Sequence, residues 1–297
     1  MTRTIASLKL RGESHPLGIR TWYMGVLNVT PDSFSDGGLY LDPDKAVERG
    51  LALAAQGADI VDIGGESSRP GSEPVPAEEE IRRVVPVITA LRRQSPVFIS
   101  IDTTKALVAR AAIDAGADLI NDISALRFDE GVLRLAAARD AAVVLMHMQG
   151  IPKTMQVHPT YEDTLAEVKG FLVKRLAAAV QAGLGRDRIV IDPGIGFGKK
   201  LSDNLVLLNH LPAFADLGCP ILVGPSRKSF IGQILGLPVQ ERLEGTIAAA
   251  VVSVARGAHI LRVHDVEAVR RAVRVAEAIL SQDKSEGGLE ETKGYVC

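Results

Sequence analysis

Residues 58–102, ADIVDIGGESSRPGSEPVPAEEEIRRVVPVITALRRQSPVFISID, contain one complete repeat of the fold. The opening ADIVDIG is a short β-branched run that reads as a buried strand. A polar, turn-forming loop follows, GGESSRPG. Next comes PAEEEIRRVVPVITALRRQ, of helical period, acidic at its start and with arginines near its end, as the helix dipole favours. The closing VFISID reads as a second strand. Two strands joined through one helix lie parallel, with the helix packed on their outer face. The pattern extends in both directions from this stretch. Further strands are expected at TWYMGVLNV (21–29), DLINDI (118–123), AAVVLMH (141–147), RIVIDPG (188–194), PILVG (220–224) and HILRVHD (259–265), with alanine-rich helical segments between them. One of those helices, DPDKAVERGLALAAQGA, opens on an aspartate cap with Pro43 in its first turn.

Eight strands alternate with eight helices in 297 residues, and composition does not shift along the chain. An open doubly wound sheet competes with a closed (β/α)₈ TIM barrel, and the repeat number favours the barrel as a single α/β domain. The expected organisation is an N-terminal extension over 1–21, the barrel over 22–284 and a frayed tail over 285–297. The formal net charge of −2 gives no sign of a nucleic-acid surface or a polybasic membrane patch, so cations that hold an anionic ligand must be local. There is no apolar run of membrane length and no signal-peptide pattern. The two cysteines, Cys219 and Cys297, make neither a disulfide framework nor a metal motif. A reduced, cytoplasmic protein is expected.

The polar residues fall in a pattern. Most apolar runs end on one: Asn28, Asp62, Asp102, Asn121 with Asp122, His147, Asp192, the GPSRKS loop, and Arg262 with His264. In a barrel these ends converge on one rim, where such folds do their chemistry. A charge ending a buried strand is costly unless paired or solvated, so the recurrence points to one polar site. Asp102, Asn121 and Asp192 offer acceptors and donors suited to an amino-heterocycle edge, although Asp102 also stands where the next helix needs a cap. Ser68, Arg69, Lys228, Arg262 and His264 suit phosphate oxygens. A diphosphate would call for Mg²⁺, with Asn28 as one oxygen ligand. GIGFG (194–198) lacks dinucleotide-loop spacing and reads as a tight turn allowing close backbone approach.

MGVLNVTPDSFSDGG, GGESSRPGSEPV, IDTTK, INDI, LMHMQGIPKTMQ, IDPGIGFGK, GPSRKSFIG and RVHDV, in this order, resemble the motif set of the dihydropteroate synthase family. The resemblance implies a (β/α)₈ barrel and a transferase of folate biosynthesis. Its reaction would condense p-aminobenzoate with 6-hydroxymethyl-7,8-dihydropterin pyrophosphate, by a dissociative route assisted by Mg²⁺. It also implies roles by position. The pterin would contact Asp62, Asp102, Asn121, Met146, Asp192, Phe197 and Lys228. Asn28, Ser68, Arg262 and His264 would hold the diphosphate, with Asn28 the Mg²⁺ ligand. Thr30, Pro31, Phe34, Asp36, Arg69, Pro70, Lys228 and Ser229 would form the p-aminobenzoate pocket and its lid. Lys228, Arg262, His264 and Asp102 would carry the catalysis.

The resemblance further implies a homodimer, for which the helix around residues 248–254 is one candidate interface, packing of that apolar run on the barrel being the alternative, and ordinary sulfonamide sensitivity. Two positions depart from the family pattern: Ser68 where threonine is common, and Ile195 where an aromatic is common. The rival readings are a pterin-dependent methyltransferase and a non-catalytic pterin-binding paralogue.

Overall fold

The structure, a computed structural model, describes residues 3–30, 42–67, 71–139 and 141–282. Two short strands, β1 (Ala6–Leu10) and β2 (Glu13–Leu17), precede the repeat. The eight expected strands follow as β3 (Trp22–Asn28), β4 (Ile60–Gly64), β5 (Phe98–Asp102), β6 (Leu119–Asp122), β7 (Ala142–Met146), β8 (Ile189–Asp192), β9 (Leu222–Val223) and β10 (Ile260–Val263). They pair in parallel in the order β8-β7-β6-β5-β4-β3-β10-β9. A single parallel bridge, Ile191 to Ile221, joins the two ends and closes the barrel.

The described helices are α1 (Pro43–Ala55), α2 (Ala77–Gln94), α3 (Ala106–Asp114), α4 (Glu130–Arg139), α5 (Thr164–Gln181), α6 (Leu201–Asn209), α7 (Ser229–Leu235), α8 (Leu243–Ala255) and α9 (Val266–Ser281). Asp42 caps α1 as expected, its side chain accepting from the amides of Asp44 (3.0 Å) and Lys45 (3.3 Å) with Pro43 behind it. Two details differ from the sequence expectation. The helical segment between PILVG and the strand before it, NLVLLNHLPAFADLG (204–218), is not one continuous helix: α6 stops at Asn209, and a 3₁₀ segment, Leu211–Leu217, follows it. Pro212 lacks the amide hydrogen that an α-helical turn would use. A short helix, α7, intervenes after β9 and ends at Gly236 in left-handed conformation.

The outward-facing strand residues and the inward faces of the helices form the main core, with Ile63, Ile88, Leu91, Ile99, Leu172 and Phe214 among its buried members. A second cluster fills the barrel's lower end, where Met24, Ile60, Leu119, Val144, Val190 and Ile260 meet Leu8, Leu10 and Leu17 of the hairpin. Arg11 (φ 50°) and Gly12 (φ 79°) turn the hairpin, the left-handed pair that a two-residue turn between twisted strands needs. The N-terminal extension therefore seals the floor of the barrel. Each fully buried leucine there is worth about 1.5–3 kcal/mol of transfer free energy.

Candidate functional site

At the opposite, C-terminal end of the strands, register places Asn28 beside Gly64, Gly64 beside Asp102, and Asp102 beside Asn121. These side chains share one level of the rim. Arg262, from the far side of β3, reaches into their centre. Its Nε donates to Asp62 Oδ2 at 2.6 Å and its Nη2 to Asp102 Oδ2 at 2.7 Å. Asn121 Nδ2 donates to the same Asp62 oxygen at 3.0 Å. Asp62 is fully buried, and its other oxygen has no hydrogen-bond partner among the described residues. Burial opposes the charge of Arg262, but Asp62 and Asp102 together hold the guanidinium above its ordinary value. Burial pushes the Asp102 carboxyl up against the pull of Arg262.

A narrow cleft opens beside this cluster, lined by Asn121, Ile123, Met146, Asp192, Phe197, Lys228, Arg262 and others. The Lys228 ammonium lies 4.0 Å from the centre of the Phe197 ring, a cation–π contact. Burial, then the nearby Arg262 charge, push Lys228 down to about 7. Asp192 Oδ1 accepts from the Gly194 amide at 2.6 Å, while burial pushes its carboxyl up to about 6. The wall after β8 packs tightly against the chain after β7. Gly194 has φ 70°, and a Cβ there would overlap the carbonyl oxygen of His147. Lys199, buried, ties the two segments together by donating to the carbonyls of Gly194 (2.8 Å) and Phe197 (3.0 Å) and lying 2.9 Å from His147 Nδ1.

A second, more open cavity adjoins the first. Asn28, Arg49, Arg227, His264 and Asp265 line it. Arg227 is held by Asp265 through two hydrogen bonds, 2.9 and 2.7 Å. His264 Nδ1 sits 3.0 Å from Ser226 Oγ. Burial, then the charges of Arg262 and Arg227, push the His264 imidazole down to about 4, so it is neutral at neutral pH. Among the described residues no cluster of three or more His, Cys, Asp or Glu could cage a metal. A magnesium ion, however, takes few protein oxygens and fills its sphere with water and substrate phosphate. Asn28, in the lining of this cavity, supplies one side-chain oxygen of the kind such an ion takes.

The structure thus gathers Asn121, Met146, Asp192, Phe197, Lys228 and Arg262 around one cavity, joins Asp62 and Asp102 to it through Arg262, and sets Asn28 and His264 at the next. Thr30, half-buried, follows β3, and Ser229 is exposed at the start of α7. Pro31, Phe34, Asp36, Ser68, Arg69 and Pro70 lie outside the described residues. Two strand-end residues do not join the site. Asp122 faces away from Asn121 and accepts from the Ser124 amide (2.7 Å) and hydroxyl (2.6 Å). His147 packs edge-on against Phe171, ring centres 4.9 Å apart, behind Met146. Both follow from the strand period of two, which sends neighbours to opposite faces. Sequence reasoning missed Lys199, Arg49 and Arg227. Only the basic GFGK and SRKS strings hinted at the first and last, and nothing marked Arg49 within its helix.

The pterin binding enzyme family matches the chain over residues 24–264. The dihydropteroate synthase of Escherichia coli (strain K12) is 49% identical over 258 residues, covering 87% of this chain and 91% of the relative. Among solved structures, dihydropteroate synthase from Xanthomonas albilineans with 4-aminobenzoic acid superposes with a TM-score of 0.87 at 48% identity, covering 94% of this chain and 99% of that one. The Yersinia pestis enzyme in a sulfonamide drug complex does so with a TM-score of 0.87 at 45% identity, covering 93% and 99%.

Proposed function

Because the chain belongs to the pterin binding enzyme family, within its dihydropteroate synthases, we propose that its two rim cavities divide the substrates between them. The reaction condenses p-aminobenzoate with 6-hydroxymethyl-7,8-dihydropterin pyrophosphate to give 7,8-dihydropteroate and pyrophosphate. The pterin enters the cavity of Asn121, Met146, Asp192, Phe197 and Lys228, its amino and ring N–H groups facing Asp62, Asp102 and Asp192. The diphosphate lies toward Asn28, Arg262 and His264, together with Ser68. The p-aminobenzoate sits against Lys228 and Ser229, with Thr30, Pro31, Phe34, Asp36, Arg69 and Pro70 completing its pocket. The observation that carries this reading is the Arg262 fork, which joins Asp62 and Asp102 while lining the cavity shared with Asp192 and Lys228. The open Asp62 oxygen supports it, since an unsatisfied buried acceptor costs about 1–3 kcal/mol and a ligand N–H would relieve it.

The chemistry follows from charge. The bond between the pterin methylene and the diphosphate oxygen breaks first, and its electron pair leaves with the diphosphate. Arg262, Lys228 and the hydrogen-bonding ring of His264 stabilise the charge that develops there. Asp102 and Asp192 favour the positive charge left on the pterin. The neutral aromatic amine then forms the C–N bond with its lone pair and loses a proton, so no strong base is needed. Asn28 would hold Mg²⁺, which when bound supplies charge neutralisation for the leaving group. By analogy with the Yersinia pestis complex, sulfonamides compete with p-aminobenzoate here. The chain also forms a homodimer in this reading: Val252 on α8 and Val275 and Ile279 on α9 are exposed apolar side chains on adjacent helices. No helix among the described residues is long and apolar enough to cross a membrane.

Turnover with both substrates and Mg²⁺, measured for wild type, Lys228→Ala and Asp102→Asn, tests the assignment. Product from the wild type and strong loss in both variants is expected. Unaltered turnover in either variant would remove that residue from the site. Pterin binding without any product would point instead to a methyltransferase or a non-catalytic paralogue.

A further inference from the structure

We propose that Arg49, in the middle of α1, binds the terminal phosphoryl group of the pterin diphosphate. The inference rests on placing the diphosphate at Asn28 and His264. Charge matching around the two cavities singles Arg49 out. Arg262 is matched by Asp62 and Asp102. Lys228 has Asp192 beside it, and the Asp192 charge works to keep the ammonium protonated. Arg227 is occupied on two nitrogens by Asp265. His264 is neutral at neutral pH. That leaves Arg49, which lines the outer cavity and forms no ion pair among the described residues.

Its position is fixed all the same. Nη2 donates to the backbone carbonyl of His264 at 3.2 Å, so the guanidinium is tethered to the residue that is itself a diphosphate ligand in this reading. The side chain is half-buried. A guanidinium carries five N–H donors in a planar fork, and one hydrogen bond to a carbonyl leaves most of that fork for an incoming anion. Diphosphate brings several negative charges into a cavity whose other cations are already compensated. An arginine fork matches the oxygens of a terminal phosphoryl group, and bidentate charge-assisted bonds of this kind are among the stronger polar contacts in proteins. Arg49 would thus act on the leaving group alone, without touching the pterin ring or the aryl amine.

The test uses the full chain and inorganic pyrophosphate with Mg²⁺ as probe. Affinity is measured by calorimetry for wild type, Arg49→Met, Arg49→Lys and His264→Ala. Methionine keeps much of the apolar stem and removes the charge, and a melting curve for each variant confirms folding. The expected result for Arg49→Met is a pyrophosphate Kd raised by about tenfold or more, partly restored by lysine. The KM for the pterin diphosphate should rise in parallel. The KM for p-aminobenzoate and the affinity for a hydroxymethyl pterin lacking the diphosphate should not move, whereas a general packing defect would disturb both. If His264→Ala weakens pyrophosphate binding and Arg49→Met does not, the role given to Arg49 is wrong and the cavity assignment stands. If neither weakens it, the diphosphate lies elsewhere and both readings fall.

Discussion

Arg262 shows how much of this site rests on single side chains. It is the cation between two carboxylates, one of them fully buried, and removing it strands both. Arg262→Met should lower stability by about 3–5 kcal/mol, the usual result of breaking a buried ion pair from one side, and abolish turnover. Chemical denaturation and a turnover assay check the two effects. Arg262→Lys should not restore activity, because one ammonium cannot reproduce the fork to Asp62 and Asp102. Lys228 sets a pH dependence. Its ammonium is pushed down to about 7, first by burial and then by Arg262. The charged form exists below that value and is lost as pH rises through it. In the free enzyme, kcat/KM for the pterin diphosphate should therefore fall on the alkaline side of about 7, and Lys228→Arg should move that limb to higher pH. A flat profile from pH 6 to about 9 would remove Lys228 from leaving-group stabilisation. Asn121 and Asp122 show where legibility stops at this scale. Both end a strand, and both look like site residues in the sequence. Only the facing of β6 decides that Asn121 bonds Asp62 while Asp122 serves a turn.

Whole elements differ in how plainly they announce themselves. The eight barrel strands are continuous apolar runs because a parallel strand is covered on both faces, and their helices carry caps and periodicity. The hairpin of β1 and β2 is the opposite case. Its buried set is only Leu8, Leu10 and Leu17, interleaved with Ser7, Lys9 and Ser14, and it has no core of its own until it meets the barrel floor. Leu10→Ala should cost about 2–5 kcal/mol of stability, as large-to-small core changes do. Turnover well below the melting temperature should be unchanged, because the floor lies at the far end of the strands from the rim. Thermal melts and activity at low temperature measure the two separately. The loop after β8 gives a contrasting prediction. Gly194 has both a left-handed backbone and a contact that leaves no space for a side chain. Gly194→Ala should displace Phe197 and Lys199, and pterin affinity should drop alongside the melting temperature. Its glycine spacing was visible in the sequence. The buried lysine that fastens the loop was not, because its acceptors are backbone carbonyls brought together from two separate segments.

At the scale of the molecule, the barrel closes through its weakest seam. β9 is two residues long, and one bridge between Ile191 and Ile221 completes the ring. Self-association is also decided at this scale. If the exposed Val252, Val275 and Ile279 are covered by a second copy, sedimentation of the wild type should give a dimer, and Val275→Glu with Ile279→Glu should give a monomer. A wild type that sediments as a monomer at micromolar concentration would discard that interface. The sequence by itself determined the alternation of strand and helix, the parallel barrel that alternation requires, and the set of polar residues at the strand ends. These are local properties, carried by periodicity, caps and composition within one short segment at a time. Tertiary structure alone decided which strand-end residues share a cavity, which arginine is compensated and which is not, and how the N-terminal hairpin is used. Those outcomes depend on strand register, on the side to which a residue faces and on carboxylates far away in the chain. Asp62 and Arg262 become partners only when β3 lies between their strands in a closed ring.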